Sequence, residues 1–164
     1  MELRRVHKKL AEAHYFLRLL RDHEPRIGGD ENPFGFLLSA FLSAARSIDY
    51  RLRHEHKATY EPWRRTWDAR LTPAENGLIK FMIDDRNEEV HDSGSGRSVG
   101  QEGVEIGTHH TPDGTTIIGG DPITTYRPSY SFTIDGFDRK VTEACGEYLA
   151  LLQRMVAEFE AAHP

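Results

Sequence analysis

Residues 33–52, PFGFLLSAFLSAARSIDYRL, place apolar side chains three and four positions apart along several helical turns. This spacing predicts an amphipathic helix that buries one wide face. Pro33 suits the first helical position, and Asn32 before it is a candidate N-cap. The expected buried face consists of Phe34, Leu37, Leu38, Phe41, Leu42, Ala45, Ile48 and Leu52. A helix with so much apolar surface needs other helices to cover it, so the stretch predicts a helical bundle.

Helical spacing recurs on both sides of this stretch. Residues 3–21 repeat apolar side chains along one stripe, which predicts a first helix. The shorter segment 61–70 carries Trp63 and Trp67 four positions apart and predicts a short third helix.

A fourth helix has the clearest start. Residues 72–75, TPAE, form a capping box with proline at the first helical position. The helix is expected to end near His91, because residues 93–96 read SGSG. Its expected buried face consists of Leu78, Ile79, Met82, Ile83 and Val90.

Glycine is concentrated in one segment, because nine of the 14 glycines lie between Ser93 and Gly136. A structureless loop of this length is improbable in a compact domain. The residues 112–114, PDG, are a turn signal between two β-like runs. We therefore predict a small hairpin or three-stranded insertion over residues 93–136. The β-like runs are Val104–Ile106, Thr115–Ile118 and Tyr130–Ile134.

A last helix is expected from Phe137 to about Ala161, with Asp135 as its cap. Its expected buried face consists of Phe137, Val141, Ala144, Tyr148, Leu152, Met155 and Phe159. The predicted fold class is therefore mainly α: an up-and-down bundle of four to five helices, with the β insertion before the last helix.

Composition limits the classes of protein that the chain can belong to. Its 164 residues suit one domain, 1–164, that contains the insertion. A content of 38% hydrophobic and 29% charged residues excludes full disorder. The net charge of -5 argues against a strongly basic nucleic-acid coat protein. No apolar run approaches the ~18 residues of a membrane helix, and the first ten residues lack the apolar core of a secretory signal, so we expect a cytoplasmic protein without membrane contact.

The sequence lacks the common patterns of metal-binding residues. Cys145 is the single cysteine, which excludes an internal disulfide and a cysteine-based zinc site. The spacing HExxH is absent, and neither a nucleophile elbow nor a phosphate-binding P-loop is present. We therefore expect no metal and no other cofactor.

The residues that are candidates for chemistry lie at the end of the fourth helix. An arginine followed by a histidine five positions later, RxxxxH, occurs three times among 16 arginines and nine histidines, and two copies are expected to be accidental. Asn87 follows Arg86 in the third copy, which makes it RNxxxH up to His91. This copy also ends a core helix. The copies are Arg18 to His23, Arg51 to His56 and Arg86 to His91.

An RNxxxH sequence late in an internal helix, preceded by the helix FGFLLSAFLSAARSIDYRL of residues 34–52, resembles the HEPN superfamily. The resemblance covers residues 3–92 and 137–161. It implies a helical bundle that dimerises, with two motif helices meeting across a shared cleft. Many proteins of this group are metal-independent ribonucleases, often toxins or defence effectors, and others only bind.

The resemblance implies a role for each motif residue. Arg86 is expected to bind and polarise the scissile phosphate, which suits the planar donor fork of a guanidinium. Asn87 is expected to orient that phosphate. His91 is expected to transfer protons, which suits an imidazole that titrates near neutrality. The ribose 2′-OH is the implied nucleophile, and a cyclic phosphate the implied product.

Three features weigh against these roles. Positions 86 and 91 are about 140° apart on an ideal helix, so a site needs either a break in the helix or residues from two protomers. Five carboxylates lie between Asp84 and Asp92 and repel RNA. Ser93 stands where some toxins of this group, paired with a nucleotidyltransferase antitoxin, carry a modified tyrosine.

A basic stretch could supply the opposite charge. Residues 46–70 hold seven Lys/Arg and four Asp/Glu, a net charge of +3. Basic residues among aromatic ones can follow a phosphate backbone and stack bases. We favour Trp63 and Trp67 as packing residues of a short helix over a role in stacking. The candidate RNA-binding residues are Arg46, Arg51, Arg53, Lys57, Arg64 and Arg65.

The sequence leaves three functions open. The leading hypothesis is a homodimeric endoribonuclease with RNA as substrate and an antitoxin protein as partner. The alternative is a non-catalytic module that binds a nucleotide, RNA or a protein, with Tyr126, Tyr130 and Phe132 as its recognition surface. The third is a structural or oligomerisation domain, in which residues 86–91 are a solvated helix end and His91 a favourable C-terminal cation.

Overall fold

The computed structural model describes residues 2–24, 26, 32–91, 97–110 and 116–164; for residues 85–91, 106–110 and 116–123 it describes the backbone alone. Helices come first, a sheet follows, and a helix ends the chain, which confirms the predicted fold class. The elements are α1 (Arg4–His23), α2 (Asn32–Glu55), α3 (Lys57–Asp68), α4 (Pro73–His91), β1 (Ser98–His110), β2 (Thr116–Ile134), β3 (Phe137–Lys140) and α5 (Val141–Ala162).

Helices α1 and α2 form an antiparallel pair. Arg5 near the start of α1 lies 3.5 Å from Glu55 at the end of α2, whereas the His23 ring at the end of α1 contacts Phe34 at the start of α2. The predicted apolar face of α2 is buried, except that Leu37 is only partly covered. Burial of this stripe stabilises the bundle through the hydrophobic effect.

Helix α5 lies antiparallel to α1 as well. In the first turn of α5, the Thr142 hydroxyl donates to Glu24 at the end of α1, at 2.7 Å. In the last turn of α5, Glu160 lies 3.1 Å from His7, near the start of α1. Every predicted core position from Val141 to Phe159 is buried. Among the described residues, no helix is long and apolar enough to cross a membrane.

The capping box that begins α4 is formed as predicted. The amide of Glu75 donates to the Thr72 hydroxyl at 3.2 Å, and the Thr72 amide donates to the Glu75 carboxylate at 2.8 Å. These two bonds satisfy donors that a helix start leaves without partners. The Thr72 amide and hydroxyl also hold the pKa of the Glu75 carboxyl below its ordinary value.

Helix α3 begins four residues earlier than Glu61, where the sequence placed it. His56 precedes its first turn, and the helix continues through Pro62. Tyr60 and Trp67 are buried against the rest of the bundle. Tertiary packing of these two rings therefore outweighs the local cost of a proline inside the helix.

The sheet is antiparallel and has the order β1-β2-β3. Ser98 lies opposite Ser131 and Ile106 opposite Ile123, and the register shifts once between Ile106 and Thr108. The ribbon of β1 and β2 is longer than the predicted runs. The turn predicted over residues 112–114 lies outside the described residues.

The prediction that the last helix starts at Phe137 is wrong. Asp135 does not cap a helix, because Asp135 and Gly136 both have positive φ, 52° and 82°. This Asp-Gly pair forms a tight hairpin turn, and Phe137 opens β3 opposite Ile134. Phe137 is 73% exposed and does not belong to the core. Helix α5 begins only at Val141.

The inner end of β2 is part of the bundle core. Tyr130 stacks on Phe34 of α2 with ring centroids 3.7 Å apart, and Phe132 meets Phe81 of α4 edge-on at 5.0 Å. Both strand residues are buried, at 2% and 0% exposure. The end of β2 that holds Tyr130 and Phe132 is therefore part of the helical core.

Candidate functional site

The RNxxxH residues occupy the C-terminal part of α4. The backbone is helical through His91, so the chain does not leave helical geometry before the motif ends. Positions 86 and 91 are then about 140° apart around the axis, whereas positions 87 and 91 share a face. The side chains of Arg86, Asn87 and His91 lie outside the described part of the molecule.

The helix that carries the motif is an internal one. Leu78, Ile79 and Met82 are buried, and Ile83 is partly covered. Val90, which the sequence adds to this face, has a side chain outside the described residues. Helix α4 packs on α2, α5 and β2, so the motif extends from a fixed element of the core.

The other two RxxxxH copies also lie at helix ends. Arg18 to His23 closes α1, and Arg51 to His56 runs to the residue that follows α2. Arg51 is held by Glu55 at 3.1 Å. A position at a helix end is thus common to all three copies. What distinguishes the third is Asn87, which follows its arginine.

The basic candidates divide into buried and exposed groups. Arg64 has only 13% of its side chain exposed and is bonded to Asp49 and to Asp68, the latter at 2.7 Å. Arg46 and Arg53 lie 3.7 and 3.5 Å from the other oxygen of Asp49 and keep 38% and 54% of their side chains exposed. The buried carboxylate of Asp49 therefore forms ion pairs with three guanidinium groups.

The remaining basic candidates lie elsewhere on the surface. Arg51 pairs with Glu55, which also contacts Arg5. Lys57 and Arg65 line a shallow depression on α3. The six sequence candidates thus do not form one continuous surface of free cations.

Tyr60 completes the buried group around Asp49. Its hydroxyl donates to Asp49 at 2.6 Å and lies 3.0 Å from Arg64. Burial raises the pKa of Tyr60 well above its ordinary value, and the neighbouring Asp49 charge adds to this. Burial alone lowers the pKa of Arg64, but Tyr60, Asp68 and Asp49 outweigh it and raise it. Arg64 is therefore a permanent internal cation that neutralises Asp49.

The two tryptophans are packing residues, as the sequence favours. Trp67 is 2% exposed and lies below the guanidinium groups of Arg64 and Arg154, at 5.2 and 5.7 Å. Trp63 stacks beside Trp67 and meets Phe159 edge-on. Trp67 is therefore not available to stack a base, and Trp63 is only partly buried.

Tyr50 is the exposed aromatic residue of the basic stretch, and it is not among the residues that the sequence predicts to bind RNA. Tyr50 is 63% exposed on α2 and stacks on His54 with ring centroids 5.9 Å apart. It lies between Arg46 and Arg53 on one face of the helix. The signal was present in the sequence as the spacing 46, 50, 53 and 54, which repeats at helical period.

Within the described residues, no group of three or more His, Cys, Asp and Glu side chains is arranged to hold a metal ion. Comparisons of the chain with protein-family models, with curated proteins and with solved structures found no match.

Proposed function

We propose that this protein is a HEPN-like endoribonuclease that cleaves RNA without a metal ion. The observation that carries the proposal is the RNxxxH sequence of residues 86–91 in the last turns of an internal helix. A fixed helix is a suitable support for catalytic groups, because core packing limits their movement. The proposed place of action is the cytoplasm.

Each motif residue has a role in the proposed reaction. The ribose 2′-oxygen attacks the adjacent phosphorus while His91 accepts the 2′-hydroxyl proton. The bond from phosphorus to the 5′-oxygen breaks, and that oxygen takes up a proton from solvent water. The products are a 2′,3′-cyclic phosphate and a free 5′-hydroxyl. Arg86 donates to the phosphate oxygens as charge builds on them, and Asn87 orients the phosphate.

A shared site between two protomers fits the helical geometry best. Because positions 86 and 91 are about 140° apart around an ideal helix, we expect that one helix does not present both to the same phosphate. Two motif helices that meet across a two-fold axis can supply Arg86 from one and His91 from the other. We therefore propose a homodimer as the active form, with an antitoxin protein as its regulator. A monomer in light scattering contradicts this arrangement.

The test of the activity is cleavage of RNA by the purified protein in EDTA. We expect products ending in a cyclic phosphate, and a loss of roughly 10²-fold or more in Arg86→Ala and in His91→Ala. Arg18→Ala is the matched control, since it changes another RxxxxH copy and should leave cleavage intact. Equal activity in all variants, or cleavage that EDTA abolishes, rejects the proposal.

The second candidate is a non-catalytic binding module. It is favoured by exposed apolar groups on the β ribbon: Tyr126 is 60% exposed and Val99 43%. Tyr130 and Phe132, expected on the same recognition surface, are instead buried in the core and cannot contribute. This candidate predicts that Tyr126→Ala weakens ligand or partner binding while no turnover of RNA is found with any variant.

A further inference from the structure

The exposed face of α2 between Arg46 and His54 combines charge with a stacking surface. Arg46, Tyr50, Arg53 and His54 lie on it, and we call these four residues the α2 track. Arg46 and Arg53 are seven positions apart, about 10.5 Å along the axis, with Tyr50 between them. The Tyr50 ring is 63% exposed and backed by His54.

The carboxylates near the α2 track are already occupied. Asp49 is 8% exposed, and its Oδ1 accepts hydrogen bonds from Tyr60 and Arg64. Its Oδ2 forms ion pairs with Arg46 and Arg53 at 3.7 and 3.5 Å. Glu55 is bonded to Arg51 and Arg5. The α2 track therefore presents the partly exposed guanidinium groups of Arg46 and Arg53, whereas the Asp49 carboxylate beside them is buried.

We propose that single-stranded RNA binds along the α2 track, with phosphates on Arg46 and Arg53 and a base stacked on Tyr50. The inference rests on the proposed function, because it names the surface that holds the RNA substrate. Charge selects a polyanion, since a guanidinium has free donors on the edge that Asp49 does not use. The aromatic ring selects single strands, because the bases of a duplex are already stacked on each other.

RNA binding explains why two arginines and an exposed tyrosine lie together on the α2 track. An exposed arginine alone is common on protein surfaces, and so is an exposed tyrosine. An exposed tyrosine between two arginines on the same helix face matches a backbone with alternating phosphates and bases.

The experiment measures binding separately from cleavage. The probe is a fluorescein-labelled 2′-O-methyl oligouridine, which lacks the free 2′-hydroxyl that the proposed reaction needs. We expect fluorescence anisotropy to show binding to the wild-type protein, and weaker binding of a duplex of the same length. Tyr50→Leu should weaken oligouridine binding roughly 5- to 150-fold, whereas Tyr50→Phe should not.

The double variant Arg46→Gln, Arg53→Gln should bind more weakly and with less dependence on salt. Loss of two phosphate contacts makes the slope of log affinity against log salt shallower by about 1.4. The matched control is Tyr15→Leu with Arg18→Gln on α1, where a 50% exposed tyrosine also lies next to an arginine, at 5.4 Å. It should bind as the wild type does. Circular dichroism checks that each variant is folded.

The outcomes separate this inference from the proposed function. No binding by the wild type, unchanged binding in both track variants, or an equal loss in the α1 control overturns the inference. If track variants lose binding but no variant cleaves RNA, the binding surface stands and the ribonuclease activity fails. If RNA is cleaved while both track variants bind normally, the activity stands and the track fails.

Discussion

The Tyr60 hydroxyl donates a 2.6 Å hydrogen bond to Asp49, and both side chains are buried where α2, α3 and α5 meet. The same hydroxyl lies 3.3 Å from the sulfur of Met155 on α5. Asp49 also accepts from Arg64 of α3. This hydrogen bond therefore belongs to a polar group inside the bundle whose members depend on one another.

Tyr60→Phe removes one partner of that buried carboxylate and keeps the ring. We expect the free energy of unfolding to fall by about 1–3 kcal/mol, because a buried acceptor loses a hydrogen bond. Urea denaturation followed by circular dichroism measures it. Tyr50→Phe on the exposed face of α2 is the control and should stay within about 0.5 kcal/mol of the wild type. Equal stability of all three proteins contradicts the arrangement.

Tyr148 predicts a loss of stability at alkaline pH. Burial raises the pKa of this phenol from 10.0 to about 12 in the folded protein. Between these pH values the unfolded chain has released a proton that the folded chain still holds, so stability falls as pH rises through the window. The expected loss is about 2–3 kcal/mol from this group.

Tyr148→Phe should remove this part of the alkaline loss, because phenylalanine has no proton to release. Urea denaturation of both proteins at a series of pH values measures it. Near neutral pH the two proteins should differ little, and the wild type should then lose more stability than the variant above about pH 10. Parallel curves for the two proteins reject this account. Burial also raises the pKa of Tyr60, so this residue adds a further loss of stability at alkaline pH to both the wild type and Tyr148→Phe.

The two tyrosines of β2 should differ sharply in their effect on folding. Tyr130 stacks on Phe34 inside the core, whereas Tyr126 is 60% exposed on the ribbon. Tyr130→Ala should cost about 3–5 kcal/mol, since a large buried ring leaves a cavity. Tyr126→Ala should change stability by no more than about 0.5 kcal/mol. Thermal and urea unfolding of the pair measures the difference, and similar costs disprove the placement of β2.

Much of the helical fold is predictable from local signals. The apolar stripes of α1, α2 and α5 repeat over many turns, and TPAE marks the start of α4 through a capping box that is formed. The sequence predicts that this segment forms a small β structure, but it does not predict how long the strands are. Gly103 weakens the strand pattern of β1, although the Tyr126 ring across the ribbon covers it at 3.7 Å from a would-be Cβ.

The surface chemistry is less predictable from sequence than the core. Arg64 and Arg53 look alike in the sequence, but Arg64 is drawn inside by Asp49 and Asp68 while Arg53 stays half exposed. Trp67 is buried and Tyr50 is exposed. Trp67 lies on α3, which packs on α5, and that contact joins residues far apart in the chain. The helical period of the sequence identifies the residues that share one face of a helix. Which face is buried depends on tertiary packing.

The Asp135-Gly136 turn separates two explanations of where the last helix starts. In a helix Gly136→Ala would stabilise, because alanine is the better helix former. In the observed hairpin turn Gly136 has φ of 82°, and nothing lies within 4 Å of a Cβ placed there. Gly136→Ala should then destabilise by about 1–2 kcal/mol through backbone strain alone. Gly136→Asn should cost less, because asparagine tolerates this conformation. Urea denaturation ranks the three proteins, and an alanine variant as stable as the wild type refutes the turn.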